Sequence, residues 1–117
     1  MNQVNLMGRL TKEPELKYHG TENPLAVTRF SLAVDRGISK EKREAGERPA
    51  DFINCVTFGK SAEFVEKYFR KGALVGVAGR LQASSFEDSE GRRRWATEVV
   101  TERHFFGDKR GLENESC

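Results

Sequence analysis

Apolar and polar residues alternate with a period of two along most of this chain, the pattern of strands with one buried face. Val4, Leu6 and Leu10 alternate with Asn5 and Arg9, and Gly8 interrupts the buried set where a bulge or barrel corner is expected. In the run from Ala26 to Val34, Ala26, Thr28, Phe30, Leu32 and Val34 share one face, and Val27, Arg29, Ser31 and Ala33 the other. Further on, Phe52, Asn54, Val56 and Phe58 alternate with Ile53, Cys55 and Thr57, so both faces of that strand carry apolar groups. Between Gly59 and Gly72 the period changes. Phe64, Val65, Tyr68 and Phe69 recur at helical spacing, acidic residues lead, basic residues follow, and Gly72 is placed for a left-handed cap. Leu74 to Phe86 is strand-like again, with Val75, Val77 and Leu81 on one side. Asp88, Ser89 and Gly91 then mark a hairpin turn, and Trp95, Thr97, Val99 and Thr101 alternate on the return.

The order is three strands, a helix and two strands. That order predicts an all-β fold: a five-stranded Greek-key barrel of the oligonucleotide-binding (OB-fold) type, with one α-helix between strands 3 and 4. Periodicity alone leaves other small barrels open. Residues 35–49 are rich in charge and turn formers and read as a long hairpin loop, and residues 107–117 read as a short polar, flexible segment after a domain at 1–106.

With 117 residues there is room for one domain, and 37% hydrophobic against 32% charged residues implies a thin core. A net charge of +2 excludes a uniformly basic coat, so any phosphate binding depends on where Lys and Arg sit. Cys55 and Cys117 form neither a disulfide framework nor a metal-ligand cluster and read as reduced thiols. Neither a signal segment nor a membrane span is expected, which predicts a cytosolic location. Asp35, Asp51 and Asp88 are scattered, His19 and His104 lie in unrelated segments, and no phosphate loop is present. A nuclease or phosphotransferase is therefore disfavoured: no catalytic residues, metal or cofactor are expected.

In order along the chain, NQVNLMGRL (2–10), EPELKY (13–18), FSLAV (30–34), DFINCVTFGK (51–60), YFRKG (68–72), GRL (79–81) and TEVV (97–100) make the sequence resemble the bacterial and phage single-stranded DNA-binding proteins. The resemblance runs to about Phe106. It implies non-specific binding of single-stranded DNA by base stacking and phosphate contact, protecting the strand in replication, recombination and repair. It also implies a homotetramer, typically a dimer of dimers, in which the amino-terminal strand and the face bearing Ile53 and Cys55 contribute to subunit contacts.

Carried over residue by residue, Phe58 matches a stacking phenylalanine of the family, and Phe52 and Phe86 stand where some members place tryptophan. Ile38 offers only an aliphatic group at a further tryptophan position. Trp95 stands where many relatives carry tyrosine, with packing beside Phe86 and DNA contact both open. Phe30, Phe64, Tyr68 and Phe69 follow core periodicity and read as structural. Lys17, Lys60, Arg70 and Lys71 match basic positions near the DNA path, Lys40, Lys42 and Arg43 lie in the long hairpin, and Arg92, Arg93 and Arg94 offset charge missing at Asn54, Ser84 and Ser85. The acidic tail through which relatives recruit replication and repair proteins has no counterpart in residues 107–117, so such partners are expected only where a tail exists beyond this chain. The rival reading is a primosomal-type adaptor on the same barrel, against which the three phenylalanines argue. RNA binding stays open, because stacking is blind to the sugar.

Overall fold

A computed structural model of the protein describes residues 1–37 and 50–107. Its elements are β1 (Val4–Leu10), β2 (Glu15–His19), β3 (Leu25–Asp35), β4 (Ala50–Phe58), the helix α1 (Lys60–Tyr68), β5 (Leu74–Glu87) and β6 (Arg93–Phe106). The sheet order is β1-β5-β6-β4-β3-β2. β1 pairs with β3 as well, Arg9 with Ala33 and Leu10 with Leu32, so five strands close into a ring and β2 is added along the outer edge of β3. That sixth strand escapes the periodic reading because only Leu16 in it is even half-buried. It is held by its pairing with β3 rather than by a buried face. Gly8 sits at the closure, where an added Cβ would meet the Ala33 carbonyl oxygen.

Inside the ring, Leu10, Phe30, Leu32, Cys55, Val75, Val77 and Val99 pack against Val65 and Phe69 of the α1 segment. Phe30 and Phe69 meet edge to face at 6.1 Å. Cys55 is fully buried in this interior and so unavailable for a subunit contact, while Ile53 is half-buried and packs against the cluster. They are turned inward because β4 presents Ile53, Cys55 and Thr57 to the helix side. Burial pushes the Cys55 thiol up to about 12, with a smaller push from the Glu98 carboxylate. Cys55 is a free thiol.

Leu81 keeps the side it was expected to share with Val75 and Val77, but those two are buried and Leu81 is exposed. Past Gly79 the β5–β6 pair leaves the core as a hairpin, so Leu81 is still paired with buried Val99 but has little above it. Ala78 pairs with Arg103 and Gly79 with Thr101, leaving Glu102 as an extra residue on β6. This bulge shifts the alternation, so that Val99 and Thr101 face inward before it and His104 and Phe106 after it. Gly72 has φ 84° but lies in the turn beyond the helix, whose C-cap is Phe69; Gly72 donates to the Leu10 carbonyl. Among the described residues no helix is long and apolar enough to cross a membrane.

Candidate nucleic-acid interface

The opposite side of the sheet has its own small buried cluster, Val27, Val56 and Val100. Alternation on β4 puts Phe52, Asn54, Val56 and Phe58 on this outer face. Cross-strand pairs share a face, so the register extends it in rows. Lys17 pairs with Val27, and Val27 pairs with Phe58. Glu15, Arg29, Val56, Val100 and Arg80 form the next row, and Arg9, Ala33 and Phe52 another. In the hairpin, Arg80, Gln82, Ser84 and Phe86 alternate on the same side, opposite Val100, Glu98, Ala96 and Arg94. Phe52, Phe58 and Phe86 therefore stand on one face around the valine cluster.

All three rings are open to solvent, at 58%, 40% and 51% exposure respectively. Phe52 and Phe58 are six residues apart, about 20 Å along an extended strand, too far to share one base. An open cleft of about 330 Å³ lies between them and the hairpin, lined by Lys12, Glu15, Arg29, Ser31, Asn54 and Glu98 among others. Arg29 Nη1 donates to Glu98 Oε2 at 2.6 Å, so an ion pair anchors this cationic side chain in the cleft. Because the pair is partly exposed, the guanidinium keeps donors free for a further acceptor.

The basic residues named from sequence divide by position. Lys17 lies two strands across from Phe58, about 10 Å at the usual strand spacing, with its ammonium 3.3 Å from Glu15. Lys60 opens α1 directly after Phe58, the chain turning through Gly59 at φ 68°. Arg92 lies 3.7 Å from Glu90 in the hairpin turn, Arg94 stands opposite Phe86, and both are exposed. Arg93 is exposed on the other side of β6. Arg70 is employed elsewhere: its guanidinium donates to the carbonyls of Glu66, Lys67 and Phe69, neutralising the C-terminal end of α1. Lys71 sits in the same turn, its backbone N–H donating to Glu13. Neither lies on the strands that form the outer face. Ile38, Lys40, Lys42 and Arg43 lie outside the described residues.

Sequence reading missed Arg9, Arg29 and Arg80 as cations of this face. The signal was available for Arg29, which alternates with Val27 and Ser31, but not for Arg9 and Arg80, whose membership depends on the register. Trp95 is resolved against packing beside Phe86: it pairs with Ser85, one step out of phase, on the reverse side of the hairpin. No cluster of three or more His, Cys, Asp or Glu able to hold a metal occurs among the described residues. His104 is packed against Phe30, Phe64 and Phe69 with a nitrogen 2.7 Å from Thr101 Oγ1, and burial pushes it down to about 4. It is a neutral core residue.

This arrangement can do three things: offer flat apolar rings, place cations beside them, and leave the lane between open. Known proteins with similar sequences carry a matching description. Residues 1–106 match the family model described as the single-strand binding protein family. A "Single-stranded DNA-binding protein" of Halalkalibacterium halodurans is 49% identical over 115 residues, covering 98% of this chain and 66% of the relative. A protein of the same name from Bacillus cereus is 47% identical over 98% of this chain and 69% of its own length. "Single-stranded DNA-binding protein A" of Bacillus subtilis is 50% identical over 87% of this chain and 56% of its own. The chain thus spans between about half and two thirds of the length of these relatives. With its fold, its exposed aromatic face and this match over residues 1–106 in agreement, the chain belongs to the single-strand binding protein family.

Proposed function

We propose that the chain binds single-stranded DNA without sequence preference, through stacking of bases on Phe52, Phe58 and Phe86 and phosphate contacts from the cations around them. The observation that carries this reading is the common face of three solvent-open phenylalanines that the strand register creates around Val27, Val56 and Val100. Rings exposed on a common face are accessible to bases, and each base offers an apolar face worth about 1–3 kcal/mol in stacking. A duplex already has its bases stacked, so it gains nothing from these rings. Lys17, Lys60, Arg92 and Arg94 supply the phosphate contacts, with Arg9, Arg29 and Arg80 added by the register. Lys40, Lys42 and Arg43 remain candidates in the segment between β3 and β4. Arg70 has a cap to maintain and is given no phosphate role, and Lys71 stays peripheral.

On this reading the protein coats exposed strands in a bacterial cytoplasm during replication, recombination and repair, without chemistry of its own. Several barrels on one strand would raise the effective concentration of each, and we propose the homotetramer as the working unit. The test is an anisotropy titration of labelled oligo-dT, oligo-U and duplex of equal length at two salt concentrations, with light scattering for the mass. Tight, salt-sensitive binding of oligo-dT with weak duplex binding supports the proposal; equal affinity for duplex overturns it. A dimer that binds no oligonucleotide would instead favour the adaptor reading.

A further inference from the structure

The β5–β6 hairpin carries an aromatic ring on each side. Phe86 is paired with Arg94 and Trp95 with Ser85, so strand alternation points the two rings to opposite faces. Trp95, at 69% exposure, is the most open aromatic of the described residues, and no ring or cation contact to it occurs among them. Its nearest neighbours on that side are small or polar, Ser85 across from it and Thr97 with Ala83 one pair along, and the first exposed apolar group, Leu81 paired with Val99, is a further pair away, about 14 Å along the strand. They leave the faces of the indole clear. Arg93 projects from the same side, one pair toward the turn and across from Glu87, about 7 Å along the strand, beside Arg92, which lies 3.7 Å from Glu90.

We infer that Trp95, with Arg93 and Arg92, forms a second stacking site on the reverse side of the hairpin, taken by a separate stretch of the same single strand. The inference rests on the proposed function above. An isolated indole among serine, threonine and alanine, flanked by guanidinium groups, is shaped for a base and its phosphate. A protein interface would need a broader apolar patch around the ring than these neighbours supply. The hairpin then inserts between two passes of DNA, holding one on Phe86 and the other on Trp95. A strand long enough to come round is required for the second contact, whereas a short oligonucleotide is satisfied on the three-phenylalanine face.

Because Trp95 is the only tryptophan, its emission reports the site directly. The test uses the full chain and two oligo-dT lengths, about 8 nucleotides, within one barrel's site size, and a strand several times longer. Labelled-DNA anisotropy reports binding, and tryptophan emission reports occupancy of the indole. At saturation the long strand is expected to quench Trp95 strongly and the short one weakly. In a separate anisotropy series, Trp95→Ala is expected to weaken long-strand binding about 5- to 150-fold, from the stacking range, and more than it weakens short-strand binding. Emission unchanged on saturation by the long strand overturns the inference, as does equal weakening for both lengths. Quenching that follows protein concentration without DNA also overturns it, since a second copy then covers the ring. Failure of both lengths to bind defeats the proposed function itself, an outcome recognised by flat anisotropy.

Discussion

Phe86 stands directly across the hairpin from Arg94, and Arg94 is held by Asp88, Nε to Oδ2 at 2.9 Å. Asp88 also accepts the backbone N–H groups of Glu90 and Arg92, so one carboxylate both organises the turn and occupies the cation nearest the ring. Those bonds, the Arg94 side chain first and the Arg92 backbone next, hold the Asp88 carboxyl below its ordinary range. A bound phosphate would compete with Asp88 for Arg94. Asp88→Asn keeps an acceptor for the turn but releases the guanidinium. The variant is expected to bind oligo-dT more tightly at low salt, with a log–log salt slope steeper by up to about 0.7, one phosphate's worth. An unchanged slope would show that Arg94 takes no phosphate.

Gly79 is where the hairpin leaves the ring, and the backbone there has no room for a side chain. An added Cβ would lie 1.9 Å from the Val100 carbonyl oxygen and 2.9 Å from the Thr101 Cα. Backbone must therefore move at the bulge that sets the phase of β6. Gly79→Ala is expected to lower stability by about 1–3 kcal/mol or more, the range for overpacked sites. Thermal melting by circular dichroism checks this; an unchanged midpoint would contradict the close approach of β5 and β6.

His104 supplies a pH dependence whose sign follows from its burial. Its folded value of about 4 lies below its ordinary 6.5, so between those values the unfolded chain binds a proton that the folded chain resists. The stability associated with the neutral ring is fully present above pH 6.5 and is lost as pH falls toward 4. Melting midpoints should decline through this window, and the decline should flatten in His104→Phe, which replaces the imidazole by another ring among Phe30, Phe64 and Phe69. A slope unchanged in that variant would assign the acid sensitivity to other groups.

Much of this fold was legible because burial writes itself as alternation. The core strands, the helix and the Asp88–Gly91 turn all fall where the pattern puts them, and Phe30, Phe64 and Phe69 are core as their spacing requires. β2 left little trace, since a strand added to a sheet edge is specified by backbone pairing more than by an apolar face. Leu81 and the inward turn of His104 were hidden for a different reason: alternation assumes an unbroken ladder lying over a core, and here a bulge shifts the phase and the hairpin leaves the core. The site was half legible. Phe52 and Phe58 share a face by simple alternation within β4, but joining Phe86 to them, separating Trp95 and adding Arg9 and Arg80 all need a register that one sequence does not display. Arg70 shows the converse, a cation whose position in the chain matched the expected path while its donors are committed to the helix end.

Whether the outer phenylalanine face is a stacking platform is decided at Phe58. It stands across the ladder from Val27 on the outer face and is no part of the main core. The decisive measurement is the affinity of Phe58→Ala for labelled oligo-dT by fluorescence anisotropy, alongside its melting curve. Loss of one stacked base predicts binding weakened about 5- to 150-fold with the melting transition retained. Affinity equal to that of the unaltered protein, in a variant that still melts cooperatively, would show that Phe58 stacks no base and that the outer face is not a stacking platform.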